Sequence, residues 1–449
     1  MSSTPAATTS RKSTYVYLVA AIAGLSGLLF GFDTAVINGA LPFLRHEFRL
    51  TDVQVELIAG VLLFGCIAGA ALTSVVSDRF GRRRALIVCA IVFAAASIAS
   101  AVPRAVGPLA LARFAAGLAI GLASALAPMY IAEVAPPSAR GRLVSINQLA
   151  IVSGILVAYY VNWQFASAGE GNWRWMFAIA AVPSVAFWAG LMAIPESPRW
   201  LASRGDEPGA LSVLNRVAEQ SAQQELIAIR RSLTEESHAL SALFQRGLRR
   251  PMILAIVLAF LGQATGINTI IYYGSILLRE HAGQSTSAAV GANVLIGVIN
   301  FAGTVVALLT IDRIGRRALL LFGAAGMCVS LVALGFAFKS QPQPYGLIVG
   351  CILAYVFCFA ASFGPGVWVY ISEIFPTPVR GRAVGIATVA VWVACLIVTL
   401  TFLSLIQLAG TAGAFWVYAA LCGTAFGFVW LALPETKGRT LEQIQEYWR

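Results

Sequence analysis

The sequence is short of charge: Asp, Glu, Lys and Arg make up 11% of its 449 residues, where a soluble globular chain carries about 25%. So few charges cannot wet a soluble surface, which excludes a pair of ordinary soluble domains. Lysine is nearly absent, with only Lys12, Lys339 and Lys437. No G-x-x-x-x-G-K-[ST] loop can exist, and ATP-driven pumping has no engine. The three histidines, His46, His238 and His281, fall outside the apolar runs, and neither H-E-x-x-H nor G-x-S-x-G occurs, so the common hydrolase sites are missing. The seven cysteines (Cys66, Cys89, Cys328, Cys351, Cys358, Cys395, Cys422) lie in apolar runs and never form C-x-x-C. They read as small core residues, with no disulfide framework or metal site. No enzyme, cofactor or metal is expected. The absence of any N-x-S/T sequon favours a prokaryotic inner membrane over a glycosylated cell surface.

What is present is apolar, with 59% of residues in the AVILMFWYC set. Runs long enough to cross about 30 Å of hydrocarbon at 1.5 Å per residue fall near 15–41, 53–76, 84–102, 108–132, 142–162 and 173–194. Six more fall near 251–278, 286–311, 317–338, 345–372, 380–406 and 412–433. Lipid offers no partners to open strand edges, and the runs are too long for barrel strands, so twelve transmembrane helices are predicted. With the N-terminus inside, the cytoplasmic face carries 24 of the 31 Lys and Arg and 14 of the 20 acids, against 6 and 5 outside. That bias puts both termini in the cytoplasm. The net charge of +11 is therefore a topology signal, and nucleic acid is excluded as a partner.

The two halves repeat. SDRFGRRRAL at 77–86 answers IDRIGRRALL at 311–320, AEVAPPSARGRLVS at 132–145 answers SEIFPTPVRGRAVG at 372–385, and PESPRWL at 195–201 answers PETKGRT at 434–440. Offsets of 234, 240 and 239 residues describe a duplicated six-span unit. The expected fold is all-α, with two six-helix bundles about a pseudo-two-fold axis along the membrane normal. The expected divisions are a disordered cytoplasmic tail (1–14), an N-terminal bundle (15–194), a cytoplasmic helical linker (195–250), a C-terminal bundle (251–433) and a cytoplasmic end (434–449). In the linker, Leu211, Leu214 and Val217, then Leu226, Ile229 and Leu233, recur at helical spacing.

Counting by spans leaves two charges inside the hydrocarbon, Asp33 in span 1 and Arg113 in span 4, each costing about 3 kcal/mol or more if it faced lipid. Their depths agree within about 5 Å at 1.5 Å per residue, so they can pair in the outer half. Such a pair is either a static strut or a proton switch: low dielectric favours the neutral acid and a guanidinium favours the carboxylate, so separating the two promotes protonation. At the inner helix ends Asp78, Arg82, Arg83, Glu133 and Arg140 have counterparts in Asp312, Arg316, Arg317, Glu373 and Arg380, with Glu196 and Glu435 in the PES and PET motifs. They read as surface ion pairs or as a latch that forms only in the outward-open state.

Within the spans, Gln148, Gln263, Asn268 and Asn300 gather with Tyr272 and Tyr273, and with Trp368 and Trp392. Tryptophan faces cover the C–H face of a pyranose while amides bind its hydroxyls. Each amide on its own also reads as glue between helices. Pro128 and Pro183 are expected to interrupt spans 4 and 6, and Gly364-Pro365-Gly366 in span 10 is the hinge candidate.

These motifs resemble a sugar porter of the major facilitator superfamily over essentially the whole chain: D-R-x-G-R-R twice, P-E-S-P-R-W-L, the R-G-R turns, Q-x-x-G-I-N-x-x-x-Y-Y and P-E-T-K-G-R-T-L stand in family order. The resemblance implies sugar contacts at Gln148, Gln263, Asn268, Asn300, Trp368 and Trp392, with Phe359 an apolar neighbour and Tyr272 and Tyr273 an outer gate. GFDTAVING at 31–39 looks like the bacterial proton-coupled branch, in which the acid at Asp33 is the coupling site and Arg113 its partner. The implied function is import of a monosaccharide, hexose or pentose, with a proton by alternating access, by a monomer in the inner membrane's lipid bilayer. An uncoupled facilitator, a polyol carrier and a non-transporting sugar receptor are the alternatives. Gly262 and Val391 replace amides of many relatives, and Ser74 replaces a glycine near the first D-R-x-G-R-R.

Overall fold

In the computed structural model the twelve apolar runs are helical; residues 6–437 are described, apart from 137–138, 170, 219–220, 236–247, 282–284 and 376. The N-terminal half comprises α1 (Ala6–Phe48), α2 (Asp52–Phe80), α3 (Arg82–Ala101), α4 (Val106–Val134), α5 (Arg140–Phe165), α6 (Asn172–Ala178) and α7 (Ala181–Ala193). Three short helices follow, α8 (Pro198–Ser203), α9 (Glu207–Ala218) and α10 (Ala222–Glu235). The second half comprises α11 (Arg249–Ala264), α12 (Ile267–Ile276), α13 (Thr286–Ile314), α14 (Arg316–Lys339), α15 (Tyr345–Ala360), α16 (Phe363–Glu373) and α17 (Thr377–Ala432). Gly410, at φ 72° and ψ 165°, turns α17 back on itself, so it supplies spans 11 and 12. The ends of the described chain and α8–α10 share one end of the molecule, called the terminus end below; the turns at 49–51 and 340–344 mark the far end.

Local chemistry starts these helices. Thr51 accepts a bond from the Gln54 N–H while the Gln54 side chain takes the Thr51 N–H, a capping box that opens α2. Lipid is as apolar as leucine, so close backbone approach, not hydrophobicity, joins the spans. A Cβ on Gly31 of α1 would stand 1.8 Å from the Ile151 carbonyl oxygen of α5, and one on Gly117 of α4 would stand 1.9 Å from that of Leu62 on α2. Helices α1–α7 pack among themselves, as do α11–α17, and the two bundles meet where α1 touches α12, α2 touches α17 and α5 touches α13. Ala210, Leu214, Ala222, Leu226 and Ile229 form a small separate core that holds α9 to α10. These linker helices reach both bundles, α9 on α1 and α4 and α10 on α17.

Four expectations change. Helix α1 begins at Ala6, taking in most of the stretch expected to be a tail, because extending a formed helix adds one bond per residue fixed. Helix α4 runs through Pro128 unbroken. Span 6 does break, but at Ile179–Ala180, which leaves Pro183 in the first turn of α7, where a missing N–H costs nothing. Span 10 breaks at Ala361–Ser362, before the Gly364-Pro365-Gly366 run, which forms the first turn of α16.

Candidate functional site

Arg113 of α4 donates through Nη1 to Asp33 Oδ1 of α1 at 2.6 Å and through Nη2 to the Asp33 carbonyl at 3.2 Å. Arg113 is fully buried and Asp33 is 3% exposed. The guanidinium also lies over the Phe177 ring, 5.1 Å from its centroid, an apolar wall that denies water to one face. Among the described residues, Asp33 Oδ2 and Arg113 Nε have no hydrogen-bond partner. A charge pair this dry gains strongly from contact and loses strongly when one member is neutralised.

Span 7 breaks at Thr265–Gly266 between α11 and α12. Gly266 sits at φ 94°, and a Cβ there would meet the Tyr418 ring at 2.7 Å, so only glycine fits. The freed Thr265 carbonyl accepts from Tyr355 Oη at 2.9 Å. Asn268 Nδ2 reaches back across the break to Gln263 Oε1 at 2.6 Å, which ties two of the expected sugar contacts together. Trp392 of α17 is buried, its Nε1 has no partner among the described residues, and its ring meets Phe30 of α1 at 5.2 Å between centroids. The side chains of Gln148 on α5, Asn300 on α13 and Trp368 on α16 make no hydrogen bond to another described residue. Phe359 lies in the last turn of α15, its ring 3.8 Å from where a Gly364 Cβ would stand. Tyr272 and Tyr273 of α12 are buried; Tyr273 Oη donates to the Thr399 carbonyl at 2.7 Å and Tyr272 Oη lies 3.8 Å from Cys395 Sγ.

The far end is closed by bonds between the bundles that the sequence did not reveal. Asn38 of α1 donates to the Ile271 carbonyl at 2.8 Å and to Asn293 Oδ1 of α13 at 3.2 Å, and accepts from the Ser275 N–H at 3.0 Å. Tyr159 of α5 donates to the Ile271 carbonyl as well. Glu56 of α2 is 2% exposed and accepts from Ser404 of α17; Gln407 donates to Asp52, which also pairs with Arg45 at 2.7 Å. Glu56 lies inside the apolar run 53–76, so Asp33 is not the only buried acid in the spans. Its closeness to the far end assigned it to the outer surface by sequence. An acid or amide inside an apolar run was the available signal for Glu56, Asn38 and Asn293.

At the terminus end the repeated motifs build two copies of one network. Gly81 turns the chain from α2 to α3 at φ 88°, which aims the Arg82 and Arg83 N–H groups at Glu196 Oε1, 2.9 and 3.0 Å away. Gly315 does the same at φ 99°, and the Arg316 and Arg317 N–H groups reach Glu435 at 3.0 Å. Arg82 pairs with Glu133 at 2.9 Å and lies 3.7 Å from Asp78; Arg316 pairs with Glu373 and Asp312, both at 2.8 Å. Glu133 and Glu373 also accept from the hydroxyls of Ser197 and Thr436, and Tyr130 and Tyr370 donate to the carbonyls of Pro195 and Pro434. The Arg140 and Arg380 side chains lie outside those described. These pairs join helices of one bundle, and the Gly81 and Gly315 turns point the described side chains into their own bundle.

The whole chain has known counterparts. Residues 19–448 match the family described as "Sugar (and other) transporter". The chain is 38% identical to the arabinose-proton symporter of Bacillus subtilis (strain 168), over 98% of this chain and 97% of that protein. It is 36% identical to the D-xylose-proton symporter of Escherichia coli (strain K12), again over 98% and 97%. Among solved structures it superposes on the proton:xylose symporter XylE bound to 6-bromo-6-deoxy-D-glucose with a TM-score of 0.85 at 36% identity, covering 98% of this chain and 100% of that one. It also superposes on the inward open conformation of the xylose transporter XylE from E. coli with a TM-score of 0.84 at 33% identity, covering 97% and 100%. Matched along almost its full length in both sequence and fold, the chain belongs to the sugar porters of the major facilitator superfamily, as a multi-pass membrane transporter.

Proposed function

We propose that this chain imports a monosaccharide, a hexose or a pentose, together with a proton by alternating access. The observation that carries the reading is the Asp33–Arg113 pair, dry, at 2.6 Å, and with one carboxylate oxygen unpartnered. Protonation of that oxygen from outside neutralises the carboxylate, weakens its hold on Arg113 and frees α1 to move against α4. Loss of the proton to the cytoplasm restores the pair and resets the carrier. Gln148, Gln263, Asn268 and Asn300 supply donors and acceptors to sugar hydroxyls, while Trp368, Trp392 and Phe359 cover its C–H faces. The Trp392 Nε1–H, buried and unpartnered, is a ready donor.

The orientation follows the basic bias: the terminus end, with both chain ends and the linker helices at 195–250, faces the cytoplasm of a bacterial inner membrane. The conformation is then closed to the outside, sealed by Asn38, Glu56 and Tyr159. The terminus-end struts keep each bundle rigid while the two rock about the sugar. The test is reconstitution in liposomes with the outside made acidic and a panel of labelled sugars and polyols. Uphill uptake of a hexose or pentose that an uncoupler abolishes is expected. Uptake that only equilibrates would make the carrier an uncoupled facilitator.

A further inference from the structure

The break in span 7 is held by side chains from other spans. An unbroken helix would give the Thr265 carbonyl the N–H of Thr269, but that N–H goes to the Gly266 carbonyl at 2.9 Å. The freed Thr265 carbonyl accepts from Tyr355 Oη of α15 at 2.9 Å, and the Cys422 thiol, in the second half of α17, lies 3.9 Å from it. Thr265, Tyr355 and Cys422 are fully buried, so the carbonyl has no bulk water to fall back on if the tyrosine hydroxyl is lost. The Tyr418 ring packs against Gly266, 2.7 Å from where a Cβ would stand. Gln263 lies in the last turn of α11 and Asn268 in the first turn of α12, joined at 2.6 Å across this break. The geometry of the break therefore sets how the two amides stand.

Tyr355 shares a face of α15 with Phe359, one turn further on, and span 10 breaks just beyond, at Ala361–Ser362. One buried hydrogen bond thus joins the break of span 7 to the last turns of α15. We propose that Tyr355 is a positioning residue for sugar recognition: its hydroxyl ties the span 7 break to α15, and so fixes where the Gln263 and Asn268 amides stand relative to the Phe359 ring. It acts through these residues and not by touching the sugar. The role in recognition rests on the sugar-binding reading above; the tie itself rests on the bond.

The test is titration calorimetry on the full chain in detergent, with D-glucose and D-xylose as hexose and pentose probes and the monodeoxy derivatives of each. The hydroxyl held by the amide pair is the one whose removal costs affinity in the unaltered protein and costs little in Gln263→Ala. Tyr355→Phe keeps the ring and loses the donor. It is expected to weaken binding of the parent sugar roughly 5- to 30-fold and to erase most of the penalty at that one hydroxyl, while the penalties at the others stay as they were. A general loosening of the fold would lower all of them together. Adding Cys422→Ser to Tyr355→Phe offers the same carbonyl a hydroxyl from α17 in place of α15. The double variant is expected to recover thermal stability without recovering selectivity, and it carries the test if Tyr355→Phe alone does not fold. Unchanged affinities in Tyr355→Phe, an equal loss at every position, or full recovery of selectivity with Cys422→Ser would each overturn the proposal. If the unaltered protein binds neither sugar, the sugar reading itself fails and the proposal falls with it.

Discussion

Glu56 holds Ser404 with both oxygens: Oε1 accepts the backbone N–H of Ser404 at 2.9 Å and Oε2 its hydroxyl at 2.8 Å. Glu56 belongs to α2 and Ser404 to α17, and the carboxylate is 2% exposed, so the two bundles share a buried acid at the far end. Bonds to a charged acceptor each contribute about 1.5–3 kcal/mol, and these two join one bundle to the other.

Removing this seal should populate the open far end. In Glu56→Ala, spin labels at the exposed positions Val53 and Leu408 should show a longer-distance population, larger by roughly 10-fold or more. Glu56→Gln keeps an acceptor for the Ser404 N–H and should shift the distribution less. Identical distance distributions in all three proteins would mean that the seal has no part in gating.

Asp33→Asn should mimic the protonated acid, keep sugar-for-sugar exchange and lose gradient-driven accumulation. Arg113→Ala should be the more damaging change, because it leaves a buried carboxylate unpaired at about 3–5 kcal/mol. Thermal unfolding in detergent separates the two effects. Uphill, uncoupler-sensitive uptake by Asp33→Asn proteoliposomes would reduce the pair to a strut.

Gln263→Ala and Asn268→Ala should each weaken sugar binding by about 1–3 kcal/mol, roughly 5- to 150-fold. Because Asn268 donates to Gln263 across the break, each also disturbs the other, and the double variant should lose less than the sum. Trp392→Phe removes the free Nε1 donor and should cost about 1 kcal/mol, while Trp368→Ala should impair transport. Titration calorimetry on folded protein reads the four single variants and the double, and unchanged binding throughout would place the sugar elsewhere.

Orientation is open to a direct check. A cysteine at the exposed Ser203 of the linker helices should resist an impermeant thiol reagent applied to intact cells, and one at the exposed Gln341 of the far end should react. The reverse pattern would invert the topology.

The number of spans, the duplicated half and the Asp33–Arg113 pair were legible in the residues themselves. Bilayer thickness demands about 20 apolar residues per helix, and a charge in hydrocarbon costs enough to require a partner of matching depth. The repeated D-R-x-G-R-R, P-E-S and P-E-T motifs likewise foretold charged clusters at one end. Which bundle each charge would serve was not legible, because the Gly81 and Gly315 turns set that direction in space.

Tertiary structure decided where the helices break and how the bundles close on each other. The breaks fall at Thr265–Gly266 and Ala361–Ser362 and not at Pro128 or the Gly364-Pro365-Gly366 run, since a freed carbonyl needs a partner such as Tyr355 from another helix. Glu56 and Asn38 looked like a surface acid and an ordinary amide until Ser404 and Ile271, 348 and 233 residues away, came within hydrogen-bond reach. An apolar pattern places a helix in lipid, but lipid is as apolar as the helix faces it solvates. The faces that meet are therefore chosen by close approach at glycine and by hydrogen bonds between distant segments, and only the folded chain brings those together.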